Sequence, residues 1–142
     1  MKKRLFVLGV LLLPVLCSCS SMSSMGKAPD IVSSLTKSLG VTENQAAGGV
    51  GSVLTLAQEK LVAGDFDKVA AVIPGSQKYL DMAKSLGAVT GPVGNAAGLN
   101  SALGKLGISP STASKFVPAV TDFVGKAGGA DVGKLLGSAL GG

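Results

Sequence analysis

The chain has 142 residues, enough for one compact domain, with no histidine, no tryptophan and a single tyrosine. The lack of histidine removes the commonest general base, the commonest metal ligand and the Ser-His type of nucleophilic site. The net charge is +5, but three of the thirteen basic residues lie in the first four positions and the other lysines are scattered. A surface that binds nucleic acid is therefore not expected.

The first eighteen residues have the pattern of a signal peptide. Lys2, Lys3 and Arg4 form a positive segment, and residues 5–16 form an apolar one. A helix of that length would measure about 18 Å, well short of the ~30 Å hydrocarbon core of a bilayer. We therefore expect residues 1–18 to be a lipoprotein signal peptide rather than a stable membrane span.

The end of this segment carries the lipoprotein feature. Leu16, Cys17 and Ser18 precede Cys19 in an order that resembles the lipobox of bacterial lipoproteins. In that family the cysteine thiol is alkylated by a diacylglyceryl group, the chain is cut before it, and the new amine is often acylated. The resemblance therefore implies lipidation of Cys19 with fatty acyl chains such as palmitate. Cys17 is the alternative acceptor, and an ordinary secretory peptide with incidental cysteines is the second alternative.

The residues after Cys19 bear on location. Acyl chains contribute ~0.8 kcal/mol per buried CH₂, so several of them would hold the protein on a membrane surface. Ser20 stands where an aspartate would resemble an inner-membrane retention signal, so we expect an outer-membrane protein that faces the periplasm. Residues 20–28 are mostly small or polar, which predicts a flexible tether over residues 19–29.

From Asp30 onward, apolar residues recur at helical spacing. Asp30 is a predicted N-cap, and Gly40 is expected to end the first helix after a Lys-Ser-Leu segment. The same ending recurs at residues 84–87 and, in shorter form, at residues 105–107. Three such endings predict short helices that turn back on one another.

The second helix begins with a predicted capping box formed by Thr42 and Gln45. Gly48, Gly49 and Gly51 each lower the stability of the isolated helix by up to ~1 kcal/mol relative to alanine, but they would allow another helix to approach closely. The residues predicted to face the core are Ala46, Val50, Val53, Leu54, Ala57 and Leu61.

Two further helices are predicted in the middle of the chain by caps and breaks. Gly64 is expected to end the second helix, Asp65 to cap the third, and Ser76 to cap the fourth after a Pro-Gly break. Leu86 is expected to face the core, and residues 87–98 form a loop by composition.

The second half repeats the first. Residues 39–42 correspond to residues 106–109, and inward-facing positions match at the same offset. We therefore predict an all-α fold, a small bundle of about six to seven short helices formed by two pseudo-repeated helical hairpins. The hairpins would cover residues 39–75 and 106–140 of a domain over residues 30–142.

The leader, the helices from Asp30 onward and the Leu-Gly-Val/Ile-x-x-x-x-Ala spacing together resemble the VcgC/VcgE family of uncharacterised bacterial proteins. Residues 106–114 are also similar to a segment of the cytoplasmic YidB-type proteins. The resemblance implies an all-helical fold, and neither family supplies catalytic residues to carry over.

Two local patterns have the spacing of known catalytic or phosphate-binding motifs. Ser34 and Lys37 have the Ser-x-x-Lys spacing of penicillin-recognising acyl enzymes, but the supporting motifs of those enzymes are missing. Gly98 to Lys105 is similar to a phosphate loop, with one residue too many and Leu106 where a hydroxyl would hold Mg²⁺. Helix ends explain both patterns better.

Asp65 and Asp67 could serve as paired carboxylates or as calcium ligands, but a helix start explains them more simply. No catalytic residue, cofactor or metal site is therefore predicted. Cys19, as the lipidation site, is the one functional residue that we predict.

The expected function is that of a membrane-anchored, periplasm-facing lipoprotein, not an enzyme, that acts through protein–protein contacts as an envelope adaptor or structural module. Its expected partners are the bilayer, through acylated Cys19, and an unidentified envelope protein. Nucleic acid is not an expected partner. The first alternative is a membrane-perturbing effector built from amphipathic helices such as residues 131–140. The second is a small-molecule carrier or unusual hydrolase with a pocket between the two halves.

Overall fold

The computed structural model describes residues 30–141, and the predicted signal peptide and tether lie outside them. Within this part the chain forms helices and no strands, which confirms the all-α prediction. The seven helices are α1 (Ile31–Leu39), α2 (Glu43–Lys60), α3 (Ala63–Val72), α4 (Ser76–Ser85), α5 (Ala96–Lys105), α6 (Pro110–Gly128) and α7 (Ala130–Gly141).

The second helix, α2, lies at the centre of the bundle and contacts each of the other six helices. Residues 46–54 are buried without interruption, so α2 has no solvent-facing side over more than two turns. A helix surrounded in this way carries apolar or small residues on every face. Its one buried polar side chain, Ser52, satisfies its hydroxyl by donating to the Gly48 carbonyl oxygen at 2.9 Å.

The glycines of α2 let its neighbours come close, as predicted. Gly49 lies against the ring of Phe116 on α6, where a Cβ would overlap the ring atoms. Gly51 lies against the backbone of α4, where a Cβ would overlap the carbonyl oxygen of Tyr79. Because a backbone carbonyl cannot turn aside as a side chain can, Gly51 sets the distance between α2 and α4.

Most predicted helix caps are confirmed. The Asp30 carboxylate accepts from the Val32 N–H at 3.4 Å. Thr42 and Gln45 form the reciprocal capping box, with hydrogen bonds of 3.2 and 2.9 Å. The glycines predicted at the three helix ends all have left-handed backbones with φ of 67°, 70° and 77°, and these are Gly40, Gly87 and Gly107.

The predicted boundary between α2 and α3 is wrong. The second helix ends at Lys60, and Gly64 lies inside the first turn of α3. Val62 is at the N-cap position of α3 without a side-chain hydrogen bond, while Asp65 pairs with Lys68 at 2.8 Å. The chain leaves α2 through two extended residues instead of a left-handed glycine, so neither predicted signal is used.

The predicted cap of α4 is also wrong. Ser76 is the first residue of α4, and Gly75, with φ of 77°, occupies the N-cap position. Leu86, at the C-cap of α4, packs against Gly48 of α2 as expected, although it is 41% exposed. The predicted loop ends at Asn95, whose side chain caps α5 by accepting from the Gly98 N–H at 2.9 Å.

The two halves share helix boundaries but pack differently. Like the 18-residue α2, the 19-residue α6 follows a left-handed glycine and begins after a capping hydroxyl. The α6 helix packs along α7, with Gly125 and Gly133 at their contact, whereas α2 makes its most extensive contact with α4 rather than α3. The repeats over residues 39–75 and 106–140 therefore stay a prediction.

The contact at Gly51 gives a direct test of this packing. We expect Gly51→Ala to lower the free energy of unfolding by about 3 kcal/mol or more, because the added methyl group would overlap a backbone carbonyl. Gly64→Ala is the matched control, since no atom lies near its Cβ position and alanine favours a helix. Urea unfolding followed by circular dichroism measures both, and equal stability of the two variants would contradict the described α2–α4 contact.

Candidate functional site

The one predicted site residue, Cys19, lies outside the described residues, so its lipidation stays a prediction. The described part begins at Asp30, directly before α1. No helix among residues 30–141 combines the length and the apolar character needed to cross a bilayer.

The acyl-enzyme spacing does not bring its two residues together. Ser34 is half-buried and lines a groove between α1 and α6, whereas Lys37 is exposed in the last turn of α1. Within residues 30–141, no hydrogen bond joins the Ser34 hydroxyl to the Lys37 ammonium group. Lys37 instead lies near the C-terminal carbonyl groups of α1, where a positive charge is favourable.

The residues of the phosphate-loop pattern have structural positions. Gly98 lies in the first turn of α5, packed against the carbonyl oxygen of Val93. Lys105 is the last residue of α5, and its ammonium group lies 3.5 Å from the Thr90 hydroxyl. In the same described stretch, no group of three or more acidic, histidine or cysteine side chains is placed to hold a metal ion.

A groove between α1 and α6 is the concave surface that we take as the candidate functional site. It has a volume of about 580 Å³ and joins a helix of the first half to a helix of the second. Phe123 contributes a partly buried ring, and the exposed Asp122 and Lys126 stand beside it on α6. The residues that line this α1/α6 groove are Ser34, Ser38, Ala119, Asp122, Phe123, Lys126 and Ala127.

A second depression of about 440 Å³ lies on the other side of α6, against α7. Asp122 and Lys126 line both concavities, so the exposed face of α6 is a ridge between two grooves. The apolar face of α7 is not part of this surface, because Leu136 and Leu140 are buried in the core. Apart from Val62 and Leu86, the large hydrophobic side chains of the described part are buried or half-buried.

The loop between α4 and α5 is held by Glu59, a residue that no sequence motif singles out. Its two carboxylate oxygens accept from the backbone N–H groups of Val93 and Gly94, both at 2.7 Å. Gly94 has a left-handed backbone, with φ of 74°, which lets the two neighbouring N–H groups point toward the same carboxylate. A pocket of about 250 Å³ lies between this loop and α5, and the bonds to Glu59 fix one of its walls at Val93.

Gln45 joins the two halves of the chain. Its Oε1 accepts from the Thr42 N–H at 2.9 Å, while its Nε2 donates to the Leu106 carbonyl oxygen at 3.1 Å. Leu106 is the C-cap of α5, so the amide satisfies one carbonyl that the helix end leaves free.

Tyr79 ties α4 to the start of α1. Its hydroxyl donates to Asp30 Oδ1 at 3.2 Å, on the same oxygen that caps α1. Burial raises the pKa of Tyr79 above its ordinary value, and the negative charge and hydrogen bond of Asp30 raise it further.

Replacing Glu59 tests whether it holds the loop. We expect Glu59→Gln to cost about 1 kcal/mol, because the amide keeps one acceptor and turns an N–H donor toward the other backbone N–H. Amide hydrogen exchange should become faster at Val93 and Gly94. Asp81→Asn, on the exposed side of α4, is the control and should change neither quantity; unchanged exchange in the Glu59 variant would contradict the described loop anchor.

The raised pKa of Tyr79 predicts an alkaline effect on stability. Above the unfolded-state pKa of about 10, the unfolded tyrosine loses its proton while the folded one retains it, so this contribution is lost as pH rises through the folded pKa. Tyr79→Phe should be less stable than wild type by about 0.5 kcal/mol at neutral pH. Urea unfolding of both proteins from about pH 8 to about pH 11 should show the difference shrinking, and parallel profiles would contradict the assignment.

The comparisons with known proteins assign a family. The model described as "Protein of unknown function VcgC/VcgE (DUF2780)" matches residues 18–141. Neither the curated proteins nor the solved structures give a match. The similarity of residues 106–114 to YidB-type proteins stays a prediction. Because the family model covers all seven helices, this chain belongs to the VcgC/VcgE family of proteins of unknown function.

Proposed function

We propose that this protein is a lipoprotein anchored in the bacterial outer membrane, where it faces the periplasm and acts through protein–protein contacts. The anchor would be the acylated Cys19, and the contact surface would be the α1/α6 groove. The observation that carries the second part is the open groove beside the ridge of α6.

The anchor rests on the order of residues 16–19 and on the energetics of acyl chains. A single acyl chain binds membranes only marginally, whereas two or more give a stable anchor. A diacylglyceryl cysteine supplies at least two chains at one position. The eleven residues from Cys19 to Pro29 could span up to about 36–40 Å when extended, so the helical domain could reach partners beyond the lipid headgroups.

The groove has the features of a contact site for another helix. Ridges of side chains on one helix pack into grooves on its partner, and the α1/α6 groove offers small side chains along both walls. The rim is charged through Asp122 and Lys126, while Phe123 gives an apolar centre. An apolar centre inside a polar rim is the usual arrangement of a protein–protein interface.

A small-molecule carrier is the second candidate, because the groove volume of about 580 Å³ lies in the range of ligand pockets. Such pockets bury most of the ligand surface, however, and four of the seven groove residues are exposed, namely Ser38, Asp122, Lys126 and Ala127. A protein contact is therefore the preferred proposal.

The anchor is tested with two cysteine variants of the full chain expressed in a Gram-negative host. We expect wild type and Cys17→Ser to incorporate an alkyne-labelled fatty acid and to sediment with outer membranes. Cys19→Ser should incorporate none, because serine cannot form the thioether. Labelling of Cys19→Ser at the wild-type level would overturn the anchor at this position.

The contact surface is tested by photo-cross-linking in whole cells. A photoreactive amino acid at Ala127, in the groove, should give protein adducts after illumination. The same residue at Lys78, which is exposed on α4 outside the groove, is the control and should give few. The absence of adducts from Ala127 and from a second groove position, Ser38, would contradict a contact role for this surface.

A further inference from the structure

We infer that a second copy of this chain occupies the α1/α6 groove, in a two-fold symmetric dimer whose α6 helices pack antiparallel. This inference rests on the proposed contact role of the groove, for which it names the partner. It follows from the shape, the apolar content and the charges of α6.

The shape of the surface allows it to be both ridge and groove. The exposed face of α6 stands between two concavities, and one of them is walled by α1. In a two-fold dimer both copies use the same patch. The ridge of each α6 can therefore enter the groove of the other copy, where the short side chains of Ser34 and Ser38 leave room for it.

The apolar residues of the groove are arranged symmetrically about Phe123, so the groove of one copy can pair with the same residues of a second copy. Ala119, Phe123 and Ala127 follow one another at intervals of four residues, and neighbours at this spacing share a helix face. An antiparallel crossing centred on Phe123 places the two phenyl rings side by side. It also places Ala119 of each copy opposite Ala127 of the other, so that small residues flank the aromatic contact on both sides.

The charges select the antiparallel direction. Asp122 and Lys126 are exposed and lie about 6 Å apart along the helix axis. Among the described residues, neither forms an ion pair within its own chain. In an antiparallel pair, Asp122 of each copy lies within reach of Lys126 of the other, which gives two ion pairs. In a parallel pair, like charges would face each other, so the charge order disfavours that arrangement.

Disulfide cross-linking of the full chain in its membrane tests both the dimer and its direction. Two versions of the chain with different tags, one carrying Ala119→Cys and the other Ala127→Cys, should cross-link when they are co-expressed. Each variant expressed alone should not, because like positions would lie about 12 Å apart along the axes, beyond the reach of a disulfide. Asp81→Cys, exposed on α4, measures random collision.

Charge reversal in both co-expressed chains provides the second part of the test. Asp122→Lys should lower the cross-linking yield about fivefold, since four lysines would then face one another. The double variant Asp122→Lys with Lys126→Asp should restore the yield to within about twofold of the unmodified pair. Asp81→Lys makes the same charge change away from the groove and should leave the yield unchanged.

The outcomes separate this inference from the proposed function. Cross-linking of Ala119→Cys alone above the collision level would overturn the antiparallel arrangement. No cross-linking in any combination, together with photo-adducts from Ala127 whose mass fits another protein, would overturn the dimer and leave the contact role standing. Adducts with the mass of a phospholipid or with no protein would overturn both.

Discussion

The bundle depends on the burial of the central part of α2, residues 46–54. A helix with neighbours on every side can carry only the side chains that those neighbours leave room for, and Gly49 and Gly51 mark the two tightest approaches. Each glycine weakens the isolated helix by up to ~1 kcal/mol relative to alanine. The contacts with α4 and α6 that these glycines permit bury Phe116 and the residues around it, and this burial outweighs the loss.

Much of the fold was predictable because it is governed by local rules. Asp30, Thr42 and Gly40 lie where the backbone itself needs an acceptor or a left-handed residue, and those needs are visible in a short window. The errors at Gly64 and Ser76 have the opposite origin. Losing a helix cap costs about 1 kcal/mol of stability. Burying a few apolar side chains contributes more than that, so packing can move the start of a helix by up to a turn from its predicted cap.

The site was less predictable than the fold. The α1/α6 groove joins Ser34 and Ser38 to residues of α6 more than eighty positions later, and no local pattern encodes that meeting. Glu59 was missed for the same reason, since its two acceptor bonds reach 34 and 35 residues along the chain. The prediction at Cys19 is of another kind, because it rests on a linear motif visible in a short window, and it stays a prediction.

The central position of α2 also constrains the order in which the molecule can mature. This helix belongs to the first half of the chain, yet part of its cover is α7, the last helix. Until α7 (residues 130–141) docks, one apolar side of α2 remains exposed to water. Because a chain is synthesised from its N-terminal end, the interior of this bundle can close only after α7 has been made.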